Sequence, residues 1–111
     1  MHVQSGQVYT GANVENACRG LAMCTERVAI GKAVSEGHRR FRAIAIVAPG
    51  PSPSPCGACR QTLAEFGESI VICTDARHTR RLRIHLLSKL LPEPFRLAST
   101  RHRLPAVKKK L

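Results

Sequence analysis

The chain alternates segments with helical apolar spacing and segments that are apolar throughout, with glycine and proline between them. "GQVYTGANV" (6–14) places β-branched and aromatic residues after a glycine and reads as a short strand. "CTERVAIGKAVSEG" (24–37) predicts a helix. Val28, Ile30, Ala33 and Val34 give it an apolar surface broad enough for burial, and Gly37 stands where a C-cap is expected. "FRAIAIVA" (41–48) is a buried strand. "PGPSPSP" (49–55) can continue neither a strand nor a helix and must be a loop. "CGACRQTLAEFG" (56–67) predicts a second helix, again closed by glycine, and "SIVICT" (69–74) a third strand. "RLRIHLL" (81–87) suits a fourth strand running into a short helical turn before Pro92. The rhythm of strand, helix, strand, helix, strand predicts an α/β sheet with parallel strands.

A length of 111 residues allows one domain with one modest core. No stretch approaches the roughly 18 consecutive apolar residues of a membrane span, and no charged start leads into an apolar run of the signal-peptide kind. The expectation is a soluble, cytoplasmic protein with no membrane partner. Cysteines 18, 24, 56, 59 and 73 are odd in number, which in a reducing compartment favours metal binding or free thiols over disulfides. Charge is uneven. Residues 77–111 carry 11 Lys or Arg against one acid, Glu93, whereas residues 1–76 carry 7 against 6. A basic third can attract nucleic acid. Its cations are not interleaved with Tyr or Phe as stacking platforms would be, which favours a solvated tail over a nucleic-acid partner.

Cys56 and Cys59 form a single C-x-x-C, a weak signal that fits a redox pair, half a zinc site or chance. A structural zinc site needs four protein ligands, and no second pair is present. Cys24, at the start of the other predicted helix, supplies a third thiolate. Three thiolates with an open fourth position describe a catalytic zinc ion, which acidifies a bound water. Both helix starts would aim their positive dipole ends at the sulfurs, lowering the thiol pKa and favouring metallation. Glu26 follows Cys24 by two residues, where a carboxylate can move protons on and off such a water. Alone, Glu26 would be an ordinary acid at a helix N-terminus. With the cysteines it completes C-x-E followed by P-C-x-x-C, the cysteine form of the zinc-deaminase signature.

"TGANVENACRGLAMCTERVAIGKAVSEG" and "AIAIVAPGPSPSPCGACRQTLAEFG" resemble cytidine deaminase, in the small homotetrameric branch with three cysteine ligands. "LSKLLPEPF" (87–95) is similar to that family's C-terminal segment, and the match runs from Gly6 to Phe95, weakening through 75–86. The resemblance implies a cytidine-deaminase-like three-layer α/β/α sandwich with a mixed sheet. It implies a homotetramer that converts cytidine and deoxycytidine to uridine and deoxyuridine, with release of ammonia, in pyrimidine salvage. Cys24, Cys56 and Cys59 would hold zinc. Glu26 would carry the proton from water to N3 of the pyrimidine and later to the leaving amine. Asn13 and Glu15, in "NVEN", would bind the sugar hydroxyls. Arg27 would hydrogen-bond the zinc thiolates, offsetting the net −1 of three thiolates on a divalent ion. Backbone groups near Thr25 and Ser54 would meet the base and the leaving amine, and Phe95 would contact the base from a neighbouring subunit. Residues 1–100 would form the deaminase-like zinc domain and 101–111 a basic C-terminal tail.

Several features depart from that pattern. The family begins with a helix and a strand ahead of "GQVYTGANV", the strand pairing with this one and supplying an aromatic residue to the base pocket. On this reading both are missing and the chain is N-terminally truncated, leaving a strand edge and an apolar face uncovered. Arg19 stands where the family has Tyr, Thr25 replaces Ala, and "RHRLPAVKKKL" has no counterpart. Three readings follow: an active nucleoside deaminase, a truncated and weakly active or inactive zinc-binding domain, or a polynucleotide-editing deaminase using the basic tail. "NVEN" favours the first over the third, because it reads a free sugar that a polynucleotide would block. It also favours cytidine over blasticidin-type substrates. Plainer roles stand beside these. Asn13 and Glu15 could end a strand and open a turn, Arg27 and Arg60 could be surface helix residues, and Phe95 could be core. Cys18 and Cys73 are expected as buried small apolar residues, and the five histidines as solvated or structural.

Overall fold

A computed structural model describes residues 1–97 and contains β1 (His2–Val3), α1 (Thr25–Ser35), β2 (Phe41–Ala48), α2 (Gly57–Ala64), β3 (Ile70–Asp75), β4 (His78–Leu86) and α3 (Leu87–Leu90). A 3-10 turn at Arg19–Leu21 precedes α1. The strands form one sheet in the order β1-β2-β3-β4. β2 and β3 run parallel in continuous register from Ala43↔Ile70 to Ala48↔Asp75, as a helical crossover through α2 requires. β1 and β4 join the two edges antiparallel, so the sheet is mixed. Residues 98–111, and with them the expected basic tail 101–111, lie outside the described residues.

Pleat alternation divides the sheet's apolar residues between two faces. Ile44 and Ile46 of β2, paired with Val71 and Cys73 of β3, are buried on one face. They share a single core with Ala29, Ile30 and Ala33 of α1, Leu63 of α2 and Leu87 of α3. The register sets Ile70 opposite Leu86, Ile72 opposite Ile84 and Thr74 opposite Leu82 on the other face. That face is apolar and open: Val47 is 58% exposed, Leu82 54% and Ile84 62%.

Most expected elements form within two or three residues of their predicted limits. β2 spans 41–48 as read from the sequence. α1 is closed by Gly37, whose φ of +92° lets the His38 N–H turn back to the Ala33 carbonyl. β4 starts at His78, earlier than the expected 81. The strand expected over 6–14 does not form. Gly6, at φ +102°, closes a tight turn in which the Val3 N–H reaches the Gln7 carbonyl and the Gly6 N–H reaches the Val3 carbonyl. Beyond it, the segment pairs briefly with β1, through the bridge His2↔Val8 and the Met1–Tyr9 hydrogen bonds, and then only through the isolated bridge Val14↔Met23. Its β-branched residues lack a continuous partner, and a strand needs a ladder. Among the described residues, no helix is long and apolar enough to cross a membrane.

Candidate metal centre and active site

Cys24 is the N-cap of α1 and Cys56 the N-cap of α2. The proline-rich loop after β2 delivers the second helix start to the first, and Cys59 follows within the first turn of α2. The Sγ atoms of Cys24 and Cys56 are 3.9 Å apart and those of Cys56 and Cys59 3.5 Å. All three sulfurs lie within 4.8 Å of one another. A tetrahedral zinc ion with Zn–S near 2.3 Å separates its sulfurs by about 3.8 Å, so the cluster is close to the size that zinc takes.

Electrostatics divide the cluster: the expected lowering of the thiol pKa is met at Cys56 and reversed by burial at Cys59. The Cys59 backbone N–H, directed at the Cys56 sulfur from the first turn of α2, lowers the Cys56 thiol below its ordinary pKa. Burial pushes the Cys59 thiol well above its ordinary value, with the neighbouring Cys56 adding to the rise. A divalent cation reverses the penalty on Cys59 because it supplies the missing countercharge. Arg27 lies beside the cluster, and the Cys24 thiol, followed by Cys59, holds its proton more firmly than usual. Its Nη2 donates to the Ala22 carbonyl at 3.2 Å, but its buried Nε has no acceptor. Three thiolates around a divalent ion carry the net negative charge that this orphan donor lacks. The residues present therefore fit zinc.

Glu26 sits in the first turn of α1, 7% exposed. Its charge adds to the rise of the Cys59 thiol, behind burial and the Cys56 sulfur. Among the described residues its carboxylate accepts no hydrogen bond, so its oxygens are free to handle a proton.

The Val14↔Met23 bridge sets Asn13 and Glu15 alongside Cys24. Asn13 Oδ1 accepts from the Thr25 N–H at 2.9 Å and the Thr25 hydroxyl at 3.0 Å. A backbone N–H can only donate, so this orientation of the amide is dictated, and Nδ2 is left as the outward-facing donor. Glu15 is exposed and unengaged among the described residues. Gly11 makes this approach possible: a Cβ there would overlap the Thr25 carbonyl oxygen and lie 2.9 Å from the Ala29 nitrogen. The segment thus crosses the start of α1, over the Thr25 carbonyl and the Ala29 nitrogen, at a distance that only glycine permits. Lys32 Nζ adds a bond to the Thr10 carbonyl at 2.7 Å.

On the other side, Arg60 fixes the loop that precedes Cys56. Its Nε donates to the Pro55 carbonyl at 2.8 Å, its Nη2 to the Ser54 hydroxyl at 2.7 Å and its Nη1 to the Leu90 carbonyl at 2.9 Å. Gln61 grips Phe95 from both sides, Nε2 donating to its carbonyl and Oε1 accepting its N–H. The Phe95 ring is 67% exposed, so it is not core.

The structure brings Cys24, Cys56, Cys59, Glu26, Arg27, Thr25 and Asn13 to the facing starts of α1 and α2. Ser54 lies on the adjoining loop, and Glu15 and Phe95 stand at the surface. Gly11, Arg60 and Gln61 as positioning residues escaped the sequence reading. Only Gly11 left a signal, as a glycine inside an apparent strand, where a close backbone approach is one reason for it. Cys73 is buried as expected; Cys18 is exposed, contrary to expectation, because it caps an open turn and lies outside the core.

Three cysteine sulfurs at two helix starts, with a buried carboxylate and a guanidinium whose Nε has no acceptor among the described residues, form a site that fits zinc. The family model for the cytidine and deoxycytidylate deaminase zinc-binding region matches residues 1–74, and the chain belongs to that family. A cytidine deaminase of Sporosarcina psychrophila is 43% identical over 95 residues, covering 83% of this chain and 68% of its own length. A probable cytidine deaminase of Dictyostelium discoideum is 44% identical over 93 residues, covering 81% of this chain and 61% of its own. The crystal structure of cytidine deaminase from Burkholderia pseudomallei superposes with a TM-score of 0.78 at 38% identity, covering 85% of this chain and 76% of that one. The chain thus spans about two thirds of the curated relatives it matches.

Proposed function

We propose that this protein hydrolyses cytidine and deoxycytidine to the corresponding uracil nucleosides with release of ammonia. The observation that carries the reading is the cluster of three converging sulfurs at two helix starts, with Glu26, a buried carboxylate that accepts no hydrogen bond among the described residues, in the first turn of α1. Zinc held by Cys24, Cys56 and Cys59 supplies a Lewis acid that makes water nucleophilic near neutral pH. The chain's own residues do the rest. Glu26 takes a proton from water, delivers it to N3 of the pyrimidine and later protonates the departing amine. Arg27 balances the charge of the sulfur cluster. The Asn13 Nδ2 donor and the Glu15 carboxylate, on either side of Val14, suit the hydroxyls of a free sugar.

Further parts of the reading rest on this one. The exposed Phe95 ring, held rigidly through its backbone, suits a contact with the base bound in a neighbouring subunit, within a homotetramer. Reduced cysteines at the centre suit the cytoplasm, and the reaction suits pyrimidine salvage. The test is ultraviolet absorbance of cytidine mixed with zinc-loaded protein, alongside Glu26→Gln. The unmodified protein should turn cytidine over, and the variant should keep zinc but lose at least about 100-fold in rate. Turnover at equal rates by both would remove Glu26 from the mechanism. Bound zinc without turnover in either would leave a zinc-binding domain with no deaminase activity.

A further inference from the structure

We propose that the cavity at the C-terminal end of β3 is a second, non-catalytic site for a small phosphate-bearing anion. It is 540 Å³ in volume and lies between the 50–53 loop and the start of β4. Arg77, His78, Arg81 and Arg83 line it, and Asp75 is its one acid. None of the zinc ligands, nor Glu26, lines it.

Three observations carry the proposal. The backbone that carries two of the basic residues is held by a buried side chain. Thr74, 7% exposed, donates its hydroxyl toward the His78 carbonyl at 3.3 Å and the Arg81 carbonyl at 3.1 Å. With the register shift between Thr74 and Asp75, this folds the start of β4 over the cavity.

The cations are also largely free of protein partners. Among the described residues, the guanidinium groups of Arg77 and Arg81 make no hydrogen bond or ion pair. Asp75 offers partial compensation only, since its Oδ1 already accepts from the Arg77 backbone N–H at 3.0 Å. Arg83 Nη2 donates to the Pro53 carbonyl at 2.8 Å, while its buried Nε has no acceptor. Like charges gathered in one concavity repel, and an anion relieves that repulsion.

Shape and chemistry then select the ligand. Guanidinium forks match the oxygens of a phosphate. The volume falls within the roughly 300–1,000 Å³ of small-molecule sites. No aromatic Phe, Tyr or Trp lines the cavity, so it lacks the stacking platforms of single-strand recognition. A small phosphate fits these features better than a polynucleotide does.

The test is calorimetric titration of the zinc-loaded 111-residue chain with inorganic pyrophosphate at fixed ionic strength. Wild type is compared with Arg81→Gln, Arg83→Gln and Arg42→Gln, the last removing an exposed charge outside the cavity. Losing a charge-assisted contact should weaken binding at least about tenfold in Arg81→Gln and Arg83→Gln and leave Arg42→Gln within about twofold. Arg83 also holds Pro53, so Arg81→Gln carries the test alone if Arg83→Gln fails to fold. Adenosine 5′-diphosphate serves as a second probe. Equal affinity for both probes assigns the site to the phosphate group itself, and tighter nucleotide binding assigns it to a nucleotide. Equal weakening by all three substitutions reduces the effect to diffuse attraction by a basic chain and overturns the proposal. So does absence of pyrophosphate binding while a single-stranded oligoribonucleotide binds.

Discussion

Gly11→Ala should separate metal binding from substrate binding. The added methyl would overlap the Thr25 carbonyl oxygen and lie 2.9 Å from the Ala29 nitrogen, against an ordinary contact of about 3.5–4.0 Å. Both atoms belong to the backbone of the first two turns of α1, so no flexible side chain can yield. The 10–15 segment must lift away by at least about half an ångström. Overpacking of this kind costs about 1–3 kcal/mol. The two bonds that Asn13 Oδ1 accepts from Thr25 stretch with it, adding about 1 kcal/mol. The expected loss of stability is about 2–4 kcal/mol. The sign is informative, since a glycine-to-alanine change at an unstrained site stabilises by about 0.4–1 kcal/mol. Urea denaturation followed by circular dichroism would read the stability, metal analysis the zinc, and cytidine kinetics the site. Zinc should stay bound, because no ligand lies on the displaced segment. The kcat/KM for cytidine should fall steeply, toward the roughly 100-fold that a 1 Å misplacement can cause. Wild-type stability together with wild-type KM in this variant would refute the close-approach argument.

Further expectations follow from the same geometry. Cys56→Ala or Cys59→Ala should abolish zinc binding and lower stability markedly, because metal binding is coupled to folding; full zinc occupancy in all three single cysteine-to-alanine variants, checked by metal analysis, would sink the site. Free cytosine should be a poorer substrate than cytidine or deoxycytidine, and Glu15→Ala should narrow the gap by weakening the nucleosides by about 1–3 kcal/mol; a preference for free cytosine in competition assays would contradict the sugar-binding role. Arg60→Lys should lose about 1–3 kcal/mol of stability in urea, because one ammonium cannot span the Pro55 and Leu90 carbonyls and the Ser54 hydroxyl; an unchanged midpoint would show that the clamp does not matter.

The chemistry of this protein was written locally. C-x-E and P-C-x-x-C each sit at a predicted helix start, and the run of prolines between 49 and 55 excluded any regular element between β2 and α2. Helix starts, thiolates and carboxylates declare themselves through spacing, since the dipole and the first-turn geometry come with the helix itself. β2, at 41–48, was legible for the same reason: eight apolar-rich residues bounded by charge and proline leave few alternatives.

Tertiary structure decided what depends on a partner distant in sequence. Residues 6–14 have strand-like composition, yet strands exist only in ladders, and the turn at Gly6 left them single bridges. Gly11 looked like a weak point in a strand and proved to be the contact that seats Asn13 on α1. Arg60, seven residues beyond Pro53, looked like a surface helix residue; only the approach of Leu90, 30 residues later, turned it into a clamp. In β4 the alternation of arginine with leucine and isoleucine could not say which side faces the core. The register with β3 decided it, pairing Arg83 with Cys73 on the core side and leaving Leu82 and Ile84 exposed. Spacing along a chain records which groups are available, but long-range packing determines which backbones meet, and so which of those groups are held in place.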